Sequence, residues 1–492
     1  MNIYIINNPF HYEIENLTRA FFINEKINVI KCDKAINYEK PYASIEVVKY
    51  RGNSEIIVSF ENDDFKKLLS ESVDGEFDSV YSECERIAAI LLFKILSECT
   101  GIKLPWGILT GVRPIKLLHN LVREMGTDGA ERYFREKLLV TEQKAKLALT
   151  TEENERKILE LSRPDSFSLY ISVPFCPTRC SYCSFVSQSI EKAQKLVEPY
   201  LDLLCQEIEY TAKIAKELNL RLETVYIGGG TPTTFSAEQL SKMISAINTS
   251  FDMKQCREFT IEAGRPDTIT HEKLEAIING GCDRISINPQ TMNDEVLEAI
   301  GRRHTSEQTL EAYNMAEAVG FKHINMDLIT GLPKDTPETF KYTLDTVCDL
   351  SPASITVHTL AMKRSSFLTL GGALVKTGTE PPAAFMMRYC EEKLPQLGYH
   401  PYYLYRQSRM EGNLENVGWS KDGFDGLYNV YVMDETHTIL ACGAGGVSKL
   451  REPGINHLER IFNYKYPYEY INGFDEMLRR KEQIKIFYDK LK

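Results

Sequence analysis

Residues 168–185, SLYISVPFCPTRCSYCSF, join an apolar, β-branched run to three cysteines, Cys176, Cys180 and Cys183, in C-x3-C-x2-C spacing. Three thiolates this close in sequence can grip one iron–sulfur cluster. A cubane has four irons, so one iron is left without a protein ligand, and an open iron is a place for chemistry. The competing readings are a zinc knuckle, a disulfide pair or unrelated core cysteines. Structural zinc takes four ligands, with the second pair further along the chain, and no fitting CxxC or HxxxH follows. The cluster is the preferred reading.

Working outward, the stretch from Ser168 to about Leu360 alternates short apolar strands with amphipathic helices. Strands are expected at SLYISV, TVYIGG, FTIEA, RISIN, INMDLI and SITVHTL, with helical segments near 192–218, 236–249, 270–279, 305–319 and 337–349. Strands that alternate with helices form right-handed parallel βαβ units, hence an open or closed α/β barrel. Chemistry in such folds collects at the C-terminal ends of strands. Before this core, residues 1–165 read as an N-terminal α/β domain. It contains a hairpin of ASIEVVKY and SEIIVSF around Arg51-Gly52-Asn53, a helix over about 80–99 stopped by Gly101, and a helix from Pro114 to Gly126. The core is expected over 166–375. Residues 376–492 read as a C-terminal α+β extension completing the substrate side, with a helix near 381–396, a strand at HTILACGAGG and a polar, aromatic tail.

The 492 residues carry a net charge of −11. This acidity argues against non-specific nucleic-acid or membrane binding. Of twelve cysteines, nine lie outside the triplet with no disulfide-scaffold spacing, as in a reduced cytoplasmic protein. The N-terminus, MNIYIINNPF, lacks the basic and apolar regions of a signal peptide. The apolar run IAAILLF is far too short to span a membrane. A soluble, cytoplasmic monomer is expected.

Several ordered motifs follow the cysteines: YIGGGTPT, TIEAGRPD, INPQTMNDEV, AIGRRH and NMDLITGLP. With SLYISVPFCPTRCSYCSF they resemble the radical SAM superfamily. Over roughly residues 165–450 the chain is similar to the oxygen-independent coproporphyrinogen III oxidase family. The resemblance implies a partial (β/α)6 TIM-like barrel in which Cys176, Cys180 and Cys183 hold a 4Fe–4S cluster. The unique iron would bind the amino and carboxylate groups of S-adenosylmethionine, whose reductive cleavage gives a 5′-deoxyadenosyl radical. It further implies that Tyr170 and Tyr182 pack near cluster and cofactor, with Tyr170 also a candidate catalytic residue. Gly229, Gly230 and Thr231 would receive the methionine portion of the cofactor. Glu262, Gln290, Arg302 and Asp327 would bond its ribose, carboxylate and adenosyl parts, and Ala361 and Val447 would contact the adenine.

As in the oxidases, the substrate expected from this resemblance is coproporphyrinogen III, whose propionates would become the vinyl groups of protoporphyrinogen IX. A flavodoxin or ferredoxin is the expected electron donor. Arg406, Lys363 and Arg364 are candidates to pair with propionates, and His358 to donate a hydrogen bond or proton; surface or structural roles compete with each. Phe185 stands where the oxidases have a further cysteine, so SYCSF is closer to the related haem-chaperone subgroup. That subgroup has a His-Asn…Tyr-Trp haem-binding motif; the comparable EGNLENVGW has Gly412 before Asn413 and lacks the histidine. GVRPIKLL and GNLENVG resemble a third subgroup, the coproporphyrinogen dehydrogenases of Firmicutes type, to which the chain is assigned. A haem chaperone, a radical enzyme on another substrate and a non-enzymatic iron–sulfur or nucleic-acid-binding role remain the alternatives.

Overall fold

Eight residues, Ser166–Val173, form a strand in which every residue but Tyr170 is buried. A strand covered on both faces belongs in the middle of a parallel sheet. The structure, a computed structural model, describes the whole chain except residues 24, 35–36, 186, 362–380, 409, 456 and 492. It divides into two compact units. One comprises Met1–Thr150, Thr369–Phe385 and Tyr405–Glu415; the other comprises Thr151–Leu368, Met386–Leu404 and Asn416–Lys492.

The first unit contains β1 (Asn2–Ile6), β2 (Asn28–Cys32), β3 (Tyr42–Tyr50), β4 (Asn53–Glu61) and β5 (Lys66–Asp74), ordered β2-β1-β3-β4-β5. The β3–β4 hairpin turns at Arg51-Gly52, with Gly52 at φ 80°. The expected helix is Tyr81–Thr100, ended by Gly101 in the left-handed region. The next one starts at Pro114 but continues to Arg132, broken at Gly126, whose φ is 74°. At the centre of this unit Trp106, fully buried, donates its indole N–H to Glu415 at 2.6 Å, and the buried Lys144 pairs with the same carboxylate at 2.5 Å. Arg406 lies here as well, 3% exposed, donating to the carbonyl of Leu109 at 2.5 Å and to that of Asn413 at 3.0 Å. This corrects the expectation that it meets substrate propionates: charge is legible in a sequence, depth is not. Lys363 and Arg364 lie outside the described residues.

The second unit has the alternating pattern expected of it. Its strands are β6 (Ser166–Val173), a short parallel ladder of β7 (Phe175–Cys176) with β8 (Gln188–Ser189), β9 (Arg221–Gly229), β10 (Glu258–Glu262), β11 (Arg284–Ser286), β12 (His323–Thr330), β13 (Ser354–Thr359), β14 (His400–Tyr405), β15 (Asn416–Ser420), β16 (Thr438–Cys442), β17 (Val447–Arg451) and β18 (Leu458–Phe462). The main sheet is ordered β14-β15-β13-β12-β11-β10-β9-β6-β16-β17-β18. From β13 to β6 every pairing is parallel, which is the (β/α)6 core. Helices Ile190–Glu217, Ala237–Ser250, His271–Asn279, Ser306–Val319 and Pro337–Leu350 connect these strands. Three of them start with capping boxes, at Ser236, Thr305 and Thr336, which fix where each helix begins after its strand.

The C-terminal part differs from the expectation in one respect. The polar, aromatic tail is regular: β17 and β18 extend the sheet, and helices Pro467–Asn472 and Phe474–Asp489 follow. Its pattern is hard to read because the buried face of the last helix, Met477, Lys481, Ile484 and Phe487, includes a lysine. Fully buried, Lys481 pairs with the equally buried Glu207 at 3.0 Å. The Glu207 carboxylate also accepts from the Gly443 amide (2.7 Å), Asn463 (2.8 Å) and Tyr470 (2.6 Å). Those bonds hold the Gly443–Gly446 turn beside the end of β6, where Ser172 donates to the Ala444 carbonyl at 2.7 Å. The buried Trp419 of β15 lies on the opposite flank of the core, paired in register with Ile355. Among the described residues no helix is long and apolar enough to cross a membrane.

Removing one partner of a buried ion pair leaves the other charge uncompensated, at a cost of about 3–5 kcal/mol. Lys481→Met should therefore lower the urea midpoint followed by far-UV circular dichroism, and adding Glu207→Gln should restore part of the loss. An unchanged midpoint in the single variant would show that the pair does not stabilise the sheet.

Candidate active site

The cysteine loop begins where β6 ends. Cys176 closes the short β7–β8 ladder, and a turn with the Cys183 amide 3.1 Å from the Cys180 carbonyl carries the other two thiols. Two bonds pin this loop to the segment after the helix Asp294–Ala299: Ser181 N–H to the Ile300 carbonyl (3.0 Å) and Thr178 Oγ1 to the Gly301 carbonyl (3.0 Å). Thr231 Oγ1 lies 3.5 Å from Cys176 Sγ. Cys180 faces two guanidinium groups, with Arg265 Nη1 at 3.8 Å from its sulfur. Burial pushes its thiol up, but Arg302 and Arg265 outweigh that and leave it below the ordinary thiol range. Burial holds Cys176 and Cys183 above that range. Each of these two thiols is also raised by Cys180, so the three lie within electrostatic reach of one another. Among the described residues no three His, Cys, Asp or Glu side chains close on a single ion. A 4Fe–4S cluster would spread the three thiolates over separate iron corners.

The glycine turn at the end of β9 packs against the same place. The Gly230 amide donates to the Val173 carbonyl at 2.8 Å and the Thr231 amide to Phe175 at 2.7 Å. Gly229 has φ 104°, and a Cβ there would meet Ser172 Oγ at 2.9 Å; one on Gly230 would lie 2.5 Å from the Phe175 carbonyl. Packing of β9 onto β6 and its following loop therefore already requires these glycines, in addition to the role the motif implies.

Glu262 terminates β10. It accepts a hydrogen bond from Tyr226 at 2.5 Å. Tyr226 sits opposite Tyr170 in the β6–β9 register, and the two rings stack with Tyr428 from the helix Leu427–Asp434, the centroids of Tyr226 and Tyr428 being 4.5 Å apart. Burial, supplemented by the charge of Asp327, pushes the Glu262 carboxyl up to about 7, although Tyr226 opposes it. Asp327 shows the contrary outcome: burial raises it, but His358, Asn325 and Thr356 together hold it below the usual carboxylate range. His358 Nε2 is 3.8 Å from Asp327 Oδ2, and Asn325 donates to Oδ1 at 2.8 Å.

Gln290 bridges to β12, its amide bonded to the Asp327 carbonyl at 2.9 Å, in a left-handed conformation with φ 69°. Its side-chain Oε1 is buried with no partner. Arg302 is buried, donating to the carbonyls of Asn288 (2.5 Å) and Gly264 (3.1 Å) and to the Tyr182 hydroxyl (3.3 Å). Only its Nε lacks a partner. Tyr182 packs on a cluster that includes Leu297, Ile300 and Leu360.

Ala361 follows β13, and Val447 begins β17 beside the turn held by Glu207. The structure thus brings the thiols, Tyr182, Arg302 and Thr231 into one group; Glu262 ends β10, Gln290 follows β11, and Asp327 and Tyr170 lie within β12 and β6. Arg265, Tyr226 and Tyr428 are additions to the residues singled out from sequence. Arg265 lies within TIEAGRPD and Tyr226 within the glycine motif, whereas nothing local announces Tyr428.

The radical SAM superfamily pattern matches residues 170–347. The oxygen-independent coproporphyrinogen-III oxidase-like protein HemZ of Bacillus subtilis (strain 168) is 38% identical over 423 residues, covering 84% of this chain and 84% of HemZ. The heme chaperone HemW of the same organism is 33% identical over 266 residues, covering 53% of this chain and 69% of HemW. Among solved structures, the coproporphyrinogen III oxidase HemN from Escherichia coli superposes with a TM-score of 0.50 at 23% identity, covering 65% of this chain and 72% of HemN. That likeness is one of fold.

The raised Glu262 carboxyl has a measurable consequence in the cofactor-free protein. The folded chain binds this proton more tightly than the unfolded one, which titrates near the ordinary glutamate value of 4.5. The stabilisation is complete below that pH and is lost as pH rises through about 7. Glu262→Gln does not titrate. Between pH 5 and pH 8 the parent should lose on the order of 2–3 kcal/mol relative to this variant in denaturant unfolding. A gap that does not change with pH would show that Glu262 titrates as an ordinary carboxyl.

Proposed function

The chain belongs to the radical SAM superfamily, in the oxygen-independent coproporphyrinogen III oxidase-like family, and on that premise we propose that it oxidatively decarboxylates the propionates of coproporphyrinogen III to vinyl groups. The observation that carries this reading is the three-thiol loop after β6, packed against the glycine turn of β9 through Thr231, with the carboxyl of Glu262 at the end of the neighbouring β10. Cys176, Cys180 and Cys183 would hold the 4Fe–4S cluster. The donor set suits it: three thiols on one loop, one of them favoured as thiolate by two arginines. Gln290 supports the S-adenosylmethionine assignment, since its buried, unpartnered carbonyl oxygen needs a donor such as a ribose hydroxyl or an amine.

When bound, the cluster and S-adenosylmethionine supply a carbon radical strong enough to take a hydrogen atom from the β-carbon of a propionate. The chain's own residues hold and shield that chemistry. Asp327, kept ionised by His358 and Asn325, is suited to accept from ribose hydroxyls. Glu262, poised between protonation states, can accept or donate at the same end of the sheet. The stacked Tyr170, Tyr226 and Tyr428 close the interior beneath these groups and exclude water. Arg302 fixes Tyr182 and the Gly264 and Asn288 carbonyls, and through its free Nε could meet the cofactor carboxylate. Gly229, Gly230 and Thr231 would face the methionine portion, and Ala361 and Val447 the adenine. A flavodoxin or ferredoxin would deliver the electron, in the cytoplasm, to a chain acting as a monomer.

Similarity to HemW favours a second reading, that of a haem chaperone. Against it, the position comparable to the chaperone histidine is Gly412, which takes a left-handed φ of 61°. Haem titration followed by absorbance separates the two: the oxidase reading predicts no axially ligated haem.

Anaerobically reconstituted protein, given reductant and S-adenosylmethionine, should convert coproporphyrinogen III to a product lighter by two carboxyl losses in mass spectrometry. Cys180→Ala should lose both the cluster absorbance and the reductive cleavage of S-adenosylmethionine. Cleavage at the parent rate in that variant would refute the cluster assignment.

A further inference from the structure

We propose that Arg265 is a positioning residue that sets the reduction potential of the cluster, with Asp267 as the counter-charge that moderates it. The proposal rests on the reading that the three cysteines carry a 4Fe–4S cluster. Arg265 is 3% exposed. Its Nη1 lies 3.8 Å from Cys180 Sγ and 3.4 Å from the Thr178 carbonyl, its Nη2 3.0 Å from Thr178 Oγ1, and its Nε 3.3 Å from Asp267 Oδ1. The guanidinium is thus built into the cysteine loop, with one terminal nitrogen directed at a ligand sulfur. Arg302, the other cation beside Cys180, also hydrogen-bonds that thiol while donating to Asn288, Gly264 and Tyr182.

A guanidinium remains charged at any working pH. One-electron reduction adds a negative charge to the cluster, so a fixed cation at a ligand sulfur favours the reduced state. An N–H donor to that sulfur acts in the same direction, because it withdraws electron density from the thiolate. Little intervening water screens the interaction at this depth. Asp267 offsets part of the field. Its other charged neighbour, His304 at 3.8 Å, is held neutral by burial and by the two arginines. Removing the Asp267 charge therefore changes one quantity, the net field of Arg265.

A purely structural Arg265, tying Thr178 to the turn after β10, makes different predictions from one that tunes the cluster. The discriminating experiment is a redox titration of the reconstituted full-length protein, followed by the EPR signal of the reduced cluster, in three variants. Arg265→Gln should shift the midpoint to more negative values, Asp267→Asn to less negative values, and Arg265→Lys should stay near the parent. A tenfold change in the reduction equilibrium corresponds to 59 mV for one electron, and the first two variants should move by about that factor in opposite directions. If both keep the parent midpoint with a full complement of iron and sulfide, the proposal is wrong. Should Arg265→Gln fail to retain the cluster, the sign of the Asp267→Asn shift decides. A parent protein that binds no cluster overturns the cluster assignment itself, and this proposal with it.

Discussion

Six parallel strands buried on both faces keep most water from the side chains they carry. One face, with Ile227, Ile261, Ile285, Met326 and Val357, is apolar and fully buried. The register sets Glu262, Ser286, Asn325, Asp327 and Thr356 on the other face, Glu262 as the last residue of β10 and Asp327 within β12. The same exclusion makes each polar group there consequential. Two carboxyls in one low-dielectric neighbourhood repel each other, and the neighbours of each decide which keeps its charge. His358 and Asn325 settle the matter for Asp327, while Glu262 has a phenol and its proton is held longer.

The site is accordingly polarised. Arg265 and Arg302 gather on the thiol side, and the carboxyls of Glu262 and Asp327 on the neighbouring strands β10 and β12. The proposed cofactor would present its carboxylate to the arginines and its ribose hydroxyls to the carboxyls.

The core was legible because its period is regular. All six strands and the five connecting helices expected from alternation are present, since in βαβ units local pattern and tertiary burial demand the same residues. The cysteine loop follows β6 and Glu262 ends β10, as the strand pattern implied, whereas Asp327 lies inside β12 and Gln290 beyond the end of β11. Legibility failed where burial contradicts side-chain type. Lys481, in the polar tail, and Arg406, a candidate for substrate propionates, are both interior, each satisfied by partners hundreds of positions away or by carbonyls no pattern announces. Tyr428 joins the ring stack from a helix remote in sequence. Arg265 stood inside a quoted motif, yet its reach to Cys180 is a fact of tertiary structure. The expected third block, 376–492, falls partly within the core unit because β15 to β18 hydrogen-bond into the central sheet.

The chain has two tryptophans, and the fold gives one to each unit: Trp106 among the helices of the first, Trp419 on a strand flanking the barrel. Both indoles are sealed from solvent. Their near-ultraviolet emission therefore provides two internal optical probes with separate addresses. Silencing one by a phenylalanine leaves the other to report on its own unit, so the order in which the halves loosen under heat or denaturant can be followed without any added dye.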